Sequence, residues 1–317
     1  MVRSLAAGLV AAYLGDLIFG DPSRGHPVAG FGRTADALEA LTYRDSRTAG
    51  VVHTAALVGA VVAGAAVLQR ATGGAARLVV LAVGTWAALG GTTLVRTANT
   101  MADLLAAGDV EGARALLPSL CGRDPNSLDG SGLARAACES VAENTSDATV
   151  APLLWAAIAG LPGVLGYRAI NTLDAMIGHR SPRYARFGWA AARLDDLANY
   201  PAARLTGALT VGCAPLIGGS PGGALRAWRR DARRHPSPNA GVAEAAFAGA
   251  LGLRLGGPTQ YGHQLEIRPT LGDGHPPEVE DLRRTARLSR LVQSGAVVVA
   301  VLLTGAGRSG RRVFPRS

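Results

Sequence analysis

The sequence predicts an all-α protein: a polytopic integral membrane helical bundle with partial or re-entrant helices and a polar cap on the cytoplasmic side. Hydrophobic residues make up 48% of the 317 residues and charged residues only 17%, whereas soluble domains carry about 25% charged residues. Long apolar segments alternate with arginine-rich loops, which is typical of membrane helices. We therefore expect one membrane-embedded domain over residues 1–317, with a core motif region at 135–206 and a polar cytoplasmic segment at 221–290.

The uninterrupted apolar segments predict the full membrane spans. Leu5–Phe19 carries Asp16 and is short for a span of about 20 residues; it resembles a signal peptide, but we expect it to be retained. Ala49–Leu68 and Leu78–Val95 predict a helical hairpin whose small residues allow close packing. Leu291–Leu303 is the last apolar segment, and an arginine-rich tail follows it.

Two further apolar segments are interrupted by proline. Pro152 and the Pro162-Gly163 pair lie within Thr149–Ile170, and Pro215 lies near the end of Ala203–Gly218. Irregular backbone is tolerated at membrane depth where protein covers it. We therefore predict four full spans and two partial ones, an arrangement that places every polar motif on one side. The arginine-rich loops assign that side to the cytoplasm.

Composition excludes several classes of site. The chain has no lysine, so its net charge of +9 comes from arginine alone. This excludes a Schiff-base lysine and the lysine-containing phosphate loop, and phosphates would be held by arginine forks and backbone amides. Aromatic content is only 5% and the arginines flank apolar runs, which favours membrane topology over nucleic-acid binding. Cys121, Cys138 and Cys213 lack CxxC spacing, which argues against a disulfide framework or a zinc site.

Acidic and amide residues recur at helical spacing in the middle of the chain, with alanine, threonine and valine around them. Residues four apart share one face of a helix, and carboxylates on one face repel each other unless a cation neutralises them. The pattern predicts a divalent-cation and phosphate site beside a membrane; helix caps and ion pairs with the arginines are the competing interpretation. The three groups are Glu139, Glu143 and Asp147; Asn171 and Asp174; and Asp195, Asp196 and Asn199.

Two polar stretches outside the centre also hold candidate binding residues. The glycine-rich Gly20–Arg33 loop contains Asp21 and His26, which would bind metal or move a proton, although a structured connector is the competing interpretation. The segment from 226 to 290 contains an arginine run suited to lipid headgroups or to an anionic substrate. Its candidate residues are Arg229, Arg230, Arg233 and Arg234, with Asn239, Glu244 and the Gly256-Gly257-Pro258 turn as pocket-lining positions.

Taken together, these motifs resemble the CobD/CbiB family, the adenosylcobinamide-phosphate synthases of cobalamin biosynthesis. The resemblance covers nearly the whole chain, and it rests on several long motifs in the same order. They are the GDP…HPV…GR loop (20–33), ESVAENTSDATVAPL (139–153), YRAINTLDAMIGHR (167–180), FGWAAARLDDLANYPAARLT (187–206), HPSPNAG (235–241), RLGGP (254–258) and RP.LGDG (268–274).

The resemblance implies an integral membrane enzyme, a ligase that joins a carboxylate of adenosylcobyric acid to the amine of aminopropanol or its O-phosphate. It implies consumption of ATP, and phosphoryl transfer requires Mg²⁺. The expected location is the cell (inner) membrane, as a multi-pass protein whose active site faces the cytoplasm. The expected partners are the corrinoid substrate, the amino alcohol (phosphate), the lipid bilayer and other membrane enzymes of cobalamin assembly, with no nucleic acid.

On this resemblance we assign roles to the central polar residues. The metal ligands are expected among Glu139, Glu143, Asp147, Asp174 and Asp196, and the catalytic residues among Glu139, Glu143, Asp195 and a histidine base, His26 or His179. Phosphate or the corrin carboxylate would be bound by Arg168, Arg180, Arg193 and Arg204, with Asn144 and Asn171.

Two other functional classes stay open at this point. A secondary transporter also uses intramembrane acids and broken helices, but no repeat symmetry relates the two halves of the sequence. A Mg²⁺-dependent membrane alcohol or prenyl transferase uses two similar aspartate-rich helices, whereas the acidic groups here differ from one another.

Overall fold

The computed structural model describes residues 2–21, 26–179, 181–261 and 264–306, which form thirteen α-helices and one two-stranded sheet. The helices are α1 (Val2–Phe19), α2 (Pro27–Thr42), α3 (Arg47–Ala71), α4 (Gly74–Trp86), α5 (Gly91–Ala106), α6 (Val110–Leu116), α7 (Gly130–Thr145), α8 (Ala151–Leu173), α9 (Tyr184–Phe187), α10 (Trp189–Cys213), α11 (Pro221–Asp231), α12 (Ala240–Leu251) and α13 (Val279–Ala306). The strands are β1 (Leu255–Tyr261) and β2 (Gln264–Leu271). The predicted all-α class is confirmed, with a small β-hairpin added.

The chain divides into two compact units. Unit 1 comprises Met1–Gly90, Ala151–Asn199 and Val297–Ser317, and unit 2 comprises Gly91–Val150 and Tyr200–Ala296. The core motif region predicted at 135–206 therefore contributes residues to both units. Each unit is described by itself below.

Four helical stretches of the described residues are long and apolar enough to cross a membrane: Arg47–Ala71, Gly74–Ala106, Gly130–Gly178 and Val279–Gly305. Three of them contain uninterrupted segments that the sequence predicted as spans. The fourth contains Thr149–Ile170, which was predicted to be partial, whereas Leu5–Phe19 is one of the shorter apolar helices. The helical stretch Gly130–Gly178 continues through Pro152, which lies two residues after a π turn at Ser146–Val150.

A backbone break inside α8 supports the prediction that glycine and proline interrupt the apolar segment Thr149–Ile170. Gly160 has φ 68° and ψ −145°, and Pro162 follows it; glycine adopts positive φ without the steric cost that other residues meet. The side chain of Gln69 on α3 accepts a hydrogen bond of 2.8 Å from the freed Leu161 N–H. In an apolar environment such a replacement partner is needed, because an unsatisfied amide is costly there.

Unit 1 is built around the packing of α1 on α4 and of α3 on α8. Part of its core is a cluster at the junction of α2, α3, α8 and α9, in which Phe187 and Leu173 are fully buried. This cluster fixes α8 and the start of α10, and it thereby positions the polar residues that follow one face of α8.

Unit 2 has an alanine-rich core to which α5, α7, α12 and α13 contribute. Nearly every residue of α12 is buried, which agrees with its uniformly apolar sequence. The hairpin pairs Gly257 with Arg268 and has a bulge between Leu255 and Gly257. Asp231 holds the chain where β2 ends: its carboxylate accepts a hydrogen bond of 3.0 Å from the Gly272 N–H. The same carboxylate accepts two hydrogen bonds of 2.8 Å from Arg230.

Two π-helical turns interrupt the long polar helices. Ser146–Val150 follows α7, and Asp174–Gly178 follows α8. Asp147 and Asp174 therefore lie in π turns, and the expectation that Glu139, Glu143 and Asp147 share one helical face stays a prediction. The wider turn changes the angular spacing, since a π turn closes its hydrogen bonds one residue later than an α-helix. Such turns occur frequently at functional sites.

Candidate active site

The centre of unit 2 is a buried ion pair between Glu139 and Arg123. Glu139 lies in the middle of α7 and is 2% exposed, and Arg123 lies in the loop that precedes the helix. One carboxylate oxygen of Glu139 accepts from the Arg123 guanidinium. The other accepts a hydrogen bond of 2.7 Å from the backbone N–H of Gly256 in β1. Glu139 therefore joins the loop, the helix and the hairpin, and protein groups occupy both of its oxygens.

Glu143 lies one helical turn beyond Glu139 and has a different environment. Its side chain is partly buried and lies within electrostatic range of Glu139, Arg123 and Arg268. It makes no hydrogen bond to any residue within the described ranges. Glu143 is thus a carboxylate whose charge is balanced from a distance and whose oxygens are available to a ligand.

A third glutamate, Glu244 on α12, faces His235 within the same unit. The His235 Nε2 atom is 3.7 Å from a carboxylate oxygen of Glu244, and the two side chains are 3% and 1% exposed. Neither of these two atoms has a hydrogen-bond partner in the described part of the chain. The other ring nitrogen of His235 accepts from the N–H of Ser237 at 3.1 Å.

Burial shifts both groups toward their neutral forms. Desolvation raises the pKa of Glu244 well above its usual value, and repulsion from Glu139 and Glu143 adds to this effect. Desolvation also lowers the pKa of His235. Burial removes the hydration that stabilises a charged carboxylate or a charged imidazole. The pair therefore favours a protonated Glu244 carboxyl beside a neutral His235 imidazole.

The charges of this buried glutamate cluster do not balance when every acid is ionised. Three carboxylates, of Glu139, Glu143 and Glu244, interact with the two guanidinium groups of Arg123 and Arg268. One negative charge remains, and it must be removed by a proton or neutralised by a bound cation because buried charges require partners. The cluster is therefore suited to receive either a proton or a cation.

Unit 1 holds a separate polar network between α8 and α10. The amide of Asn171 donates to one oxygen of Asp195 at 3.3 Å, and Asn199 donates to the other at 2.9 Å. Tyr167 donates to Asn199 at 2.8 Å, and Arg168 donates to Asn171 at 3.4 Å. The second and third polar groups of the sequence thus meet in space, and Asp195 is held in place by two amides.

Other candidate residues have local roles in the structure. Arg193 and Asp196 form a solvent-exposed pair at 3.5 Å, and the Asn144 amide donates to Ser140 in its own helix. His26 caps α2 by accepting from the Val28 N–H at 3.2 Å, whereas His179 is exposed with its ring 5.0 Å from that of Tyr184.

Arg204 and Arg180 are the remaining arginines that were assigned to phosphate or to the corrin carboxylate. Arg204 belongs to unit 2, where it donates to Asn239 at 2.6 Å and lies over the ring of Tyr200. Arg180 lies outside the described residues. The assignment of phosphate contacts to these side chains stays a prediction.

The metal assignment also stays a prediction. Among the described residues no group of three or more His, Cys, Asp or Glu side chains is arranged to hold a metal ion. Magnesium is usually bound through one or two carboxylates together with substrate phosphates, so a magnesium site needs fewer protein ligands than a group of three. Glu139 and Glu143 belong to unit 2 together with Asp147, whereas Asp174 and Asp196 belong to unit 1.

Sequence reasoning assigned no role to four members of the buried glutamate cluster. Arg123 and Arg268 are two among many arginines, and His235 is in a proline-rich loop. Glu244 was noted only as a pocket-lining position. One signal was present in the sequence: Glu244 is a lone acid within the apolar run GVAEAAFAGAL, and an acid in such a run requires a buried partner or a function.

The fold and the site define a helical protein of the membrane type with a buried glutamate cluster. The family model described as "CobD/Cbib protein" matches residues 9–289, and the chain belongs to this family. It is 67% identical over 301 residues to "Cobalamin biosynthesis protein CobD" of Mycobacterium tuberculosis, covering 95% of this chain and 96% of the relative. Proteins of the same name from Geobacter metallireducens and Rhodobacter capsulatus are 43% and 42% identical, covering 94% and 95% of this chain and 96% and 98% of theirs.

No solved structure matches the chain. The family and these relatives confirm the class predicted from the motifs, and they give the chain a biosynthetic role in the cobalamin pathway.

Proposed function

We propose that this chain is an ATP-dependent ligase that joins adenosylcobyric acid to aminopropanol or its O-phosphate, forming adenosylcobinamide or its phosphate. The observation that carries this proposal is the buried glutamate cluster of unit 2, in which three carboxylates share two arginines and Glu143 has no hydrogen-bonding partner in the described ranges. With Glu244 protonated, the charges of Glu139 and Glu143 are matched by those of Arg123 and Arg268, and Glu143 keeps carboxylate oxygens that a cation carried by a substrate would bind.

The chemistry explains why a nucleotide is needed. A carboxylate and an ammonium ion form a salt in water, because the oxide leaving group of a carboxylate is poor. Transfer of the γ-phosphoryl group of ATP to the corrinoid carboxylate gives an acyl phosphate and ADP. The neutral amine then attacks the acyl carbon, the C–N bond forms, phosphate leaves, and the amine gives up a proton.

The residues present fit a requirement for Mg²⁺. Glu143 would be the principal ligand, with Asp147, four residues further along the chain in the π turn, as the second, since oxygen ligands together with substrate phosphates suit this ion. When bound, Mg²⁺ would neutralise the charge that develops during phosphoryl transfer. Glu139 would fix the cluster through Arg123 rather than bind metal, because protein groups already occupy both of its oxygens.

The amine must lose a proton before it attacks, and Glu244 with His235 supplies an acid–base pair for that proton. Burial lowers the pKa of His235 and so favours the neutral imidazole, which is the form that a general base requires. We place the enzyme in the inner membrane with the site on the cytoplasmic side, where ATP is available.

The test uses membranes that contain the full chain. They are incubated with adenosylcobyric acid, ATP, Mg²⁺ and either aminopropanol or its O-phosphate, and the products are analysed by mass spectrometry. We expect an amide product with at least one amine and stoichiometric formation of ADP, both abolished when ATP is omitted. Folded protein that gives no amide with either amine contradicts the proposal. Uptake of a corrinoid into proteoliposomes without a covalent product would favour a transporter instead.

A further inference from the structure

A large open cavity of about 860 Å³ lies within unit 2, between the end of α10, α11 and the loop before α12. Arginine and aromatic side chains line it together with proline and leucine. Its volume is within the range of small-molecule sites, which is roughly 300–1,000 Å³. None of the residues assigned to metal or catalysis from the sequence lines this cavity. Of the arginines assigned to phosphate or the corrin carboxylate, Arg204 lines it.

The four arginines at the end of α11 and in the turn after it form two pairs with different contacts. Arg230 and Arg234 form ion pairs with Asp231, and Arg230 also pairs with Asp273. Arg229 and Arg233 instead line the cavity, and both are exposed. Neither of them pairs with an acid in the described part of the chain. Two arginines one helical turn apart, facing a cavity without a carboxylate partner, form a site for an anion with several oxygens.

Aromatic rings line the same cavity. Tyr200 is 54% exposed, and the Arg204 guanidinium lies 3.5 Å from the centroid of its ring. Trp228 lines the wall beside α11. Exposed rings beside arginines suit a ligand that has a planar aromatic part as well as an anionic part, since bases stack on aromatic side chains and on guanidinium planes.

A buried histidine connects this cavity with the buried glutamate cluster. His235 lines the cavity, is 8% exposed, and its Nε2 atom has no hydrogen-bond partner among the described residues. It also contacts Glu244 of the buried glutamate cluster at 3.7 Å. The cavity and the cluster therefore share one residue, as a nucleotide site adjoining a reaction centre requires.

We propose that this cavity binds the nucleoside triphosphate, with Arg229 and Arg233 on the phosphates and Tyr200 beside the base. The assignment rests on the proposed function for the identity of the co-substrate. It moves the nucleotide from the sequence-predicted residues Asn144, Asn171, Arg168 and Arg193 to the arginine–aromatic cavity. A free amino-alcohol phosphate lacks an aromatic part and would fill only a small fraction of the volume.

The test measures binding of a fluorescent ATP analogue to the full chain in phosphatidylcholine nanodiscs. The double variant Arg229→Gln/Arg233→Gln should bind ATP about tenfold or more weakly, since hydrogen bonds to charged groups are lost. The matched control Arg234→Gln removes one charge from the same run outside the cavity and should leave the affinity within about twofold of wild type. Equal affinities of the double variant and the wild type would overturn the proposal.

Competition by inorganic tripolyphosphate and by short-chain lipids shows which part of the ligand the arginines and Tyr200 contact. Tyr200→Leu should weaken ATP about fivefold or more and leave competition by inorganic tripolyphosphate unchanged, whereas the double arginine variant should weaken both. Dihexanoylphosphatidylglycerol should displace ATP no better than dihexanoylphosphatidylcholine. Selective displacement by the anionic lipid, or competition by aminopropanol phosphate as strong as that by ATP, would overturn the assignment to a nucleotide.

Kinetics separate this proposal from the proposed function. If wild-type protein forms the amide and the double arginine variant has an unchanged KM for ATP, the cavity assignment fails while the ligase assignment stands. If no amide forms but labelled ATP still binds with the stated pattern of variants, the nucleotide site stands without the ligase.

Discussion

The Arg123 guanidinium donates to the Glu139 carboxylate at a position where both side chains are almost completely buried. The second oxygen of the same carboxylate accepts the N–H of Gly256, which is 117 residues away in the sequence. One side chain of α7 thus fixes a loop on one side and the hairpin on the other. The cluster around it depends on this arrangement, because Glu143 and Glu244 interact with the same arginine.

Glu139→Ala should destabilise the protein by about 3–5 kcal/mol, because it removes one half of a buried ion pair, the carboxylate that faces the Arg123 guanidinium. The measurement is the free energy of unfolding in mixed micelles. Glu111→Ala is the matched control: its carboxylate pairs with Arg114 at the surface and is 81% exposed, so its loss should cost no more than about 1 kcal/mol. Equal costs for the two variants would show that the buried pair does not hold unit 2 together.

Glu143→Gln should lower amide formation at least about 100-fold, since it removes the carboxylate that would hold Mg²⁺ against the substrate phosphates, while the protein stays folded in membranes. Product mass and thermal unfolding are measured on the same preparation. Glu280→Gln is the control, because its side chain is 67% exposed at the start of α13; it should retain activity. Full activity of Glu143→Gln would remove this residue from the site.

Glu244→Gln should be stabilising relative to wild type, increasingly so as pH rises. The pKa of Glu244 is raised in the folded state, so the folded protein holds a proton that the unfolded chain releases above a pH of about 4.3. The stability that this proton contributes is complete below that value and is lost as pH rises toward the folded-state pKa. The charged neighbours are Glu139, Glu143, Arg123, Arg268 and His235.

The unfolding midpoints of wild type and Glu244→Gln are compared between about pH 4 and pH 8. The variant's advantage should grow across this window. A difference for Glu244→Gln that is flat, or that shrinks as pH rises, contradicts the burial argument.

Gly256→Ala should destabilise unit 2 and weaken the anchoring of Glu139. At φ 81° a Cβ atom at this position would lie 2.1 Å from the carbonyl oxygen of Pro269, so the hairpin would have to open. Gly252→Ala is the control: its φ is 72°, but a Cβ atom there meets nothing within 4 Å. The control should lose about 1–3 kcal/mol from backbone strain alone, and Gly256→Ala should lose more. Unfolding free energies that do not differ would show that the close contact is relieved without cost.

The helical membrane class and the family were determined by the sequence alone. Hydropathy and helical periodicity are properties of consecutive residues, so they can be read from the sequence without the tertiary structure. The predicted spans Ala49–Leu68 and Leu78–Val95 accordingly fall within stretches that form long apolar helices. The second and third polar groups of the sequence meet in one network, in which Asn171 contacts Asp195. The sequence likewise marked the region of the break in α8, because glycine and proline interrupt helices by their own covalent geometry.

Only the tertiary structure decided which acids share charge and which residues surround them. Spacing grouped Glu139 with Asp147, but folding groups it with Arg123, Gly256 and, through electrostatics, Glu244 of α12. Spacing along one helix reports only contacts within a few residues, whereas the charge of a buried carboxylate is set by whichever distant segments pack against it. For the same physical reason the arginine run gave no sign in the sequence of which guanidinium groups Asp231 neutralises and which two remain to line a cavity.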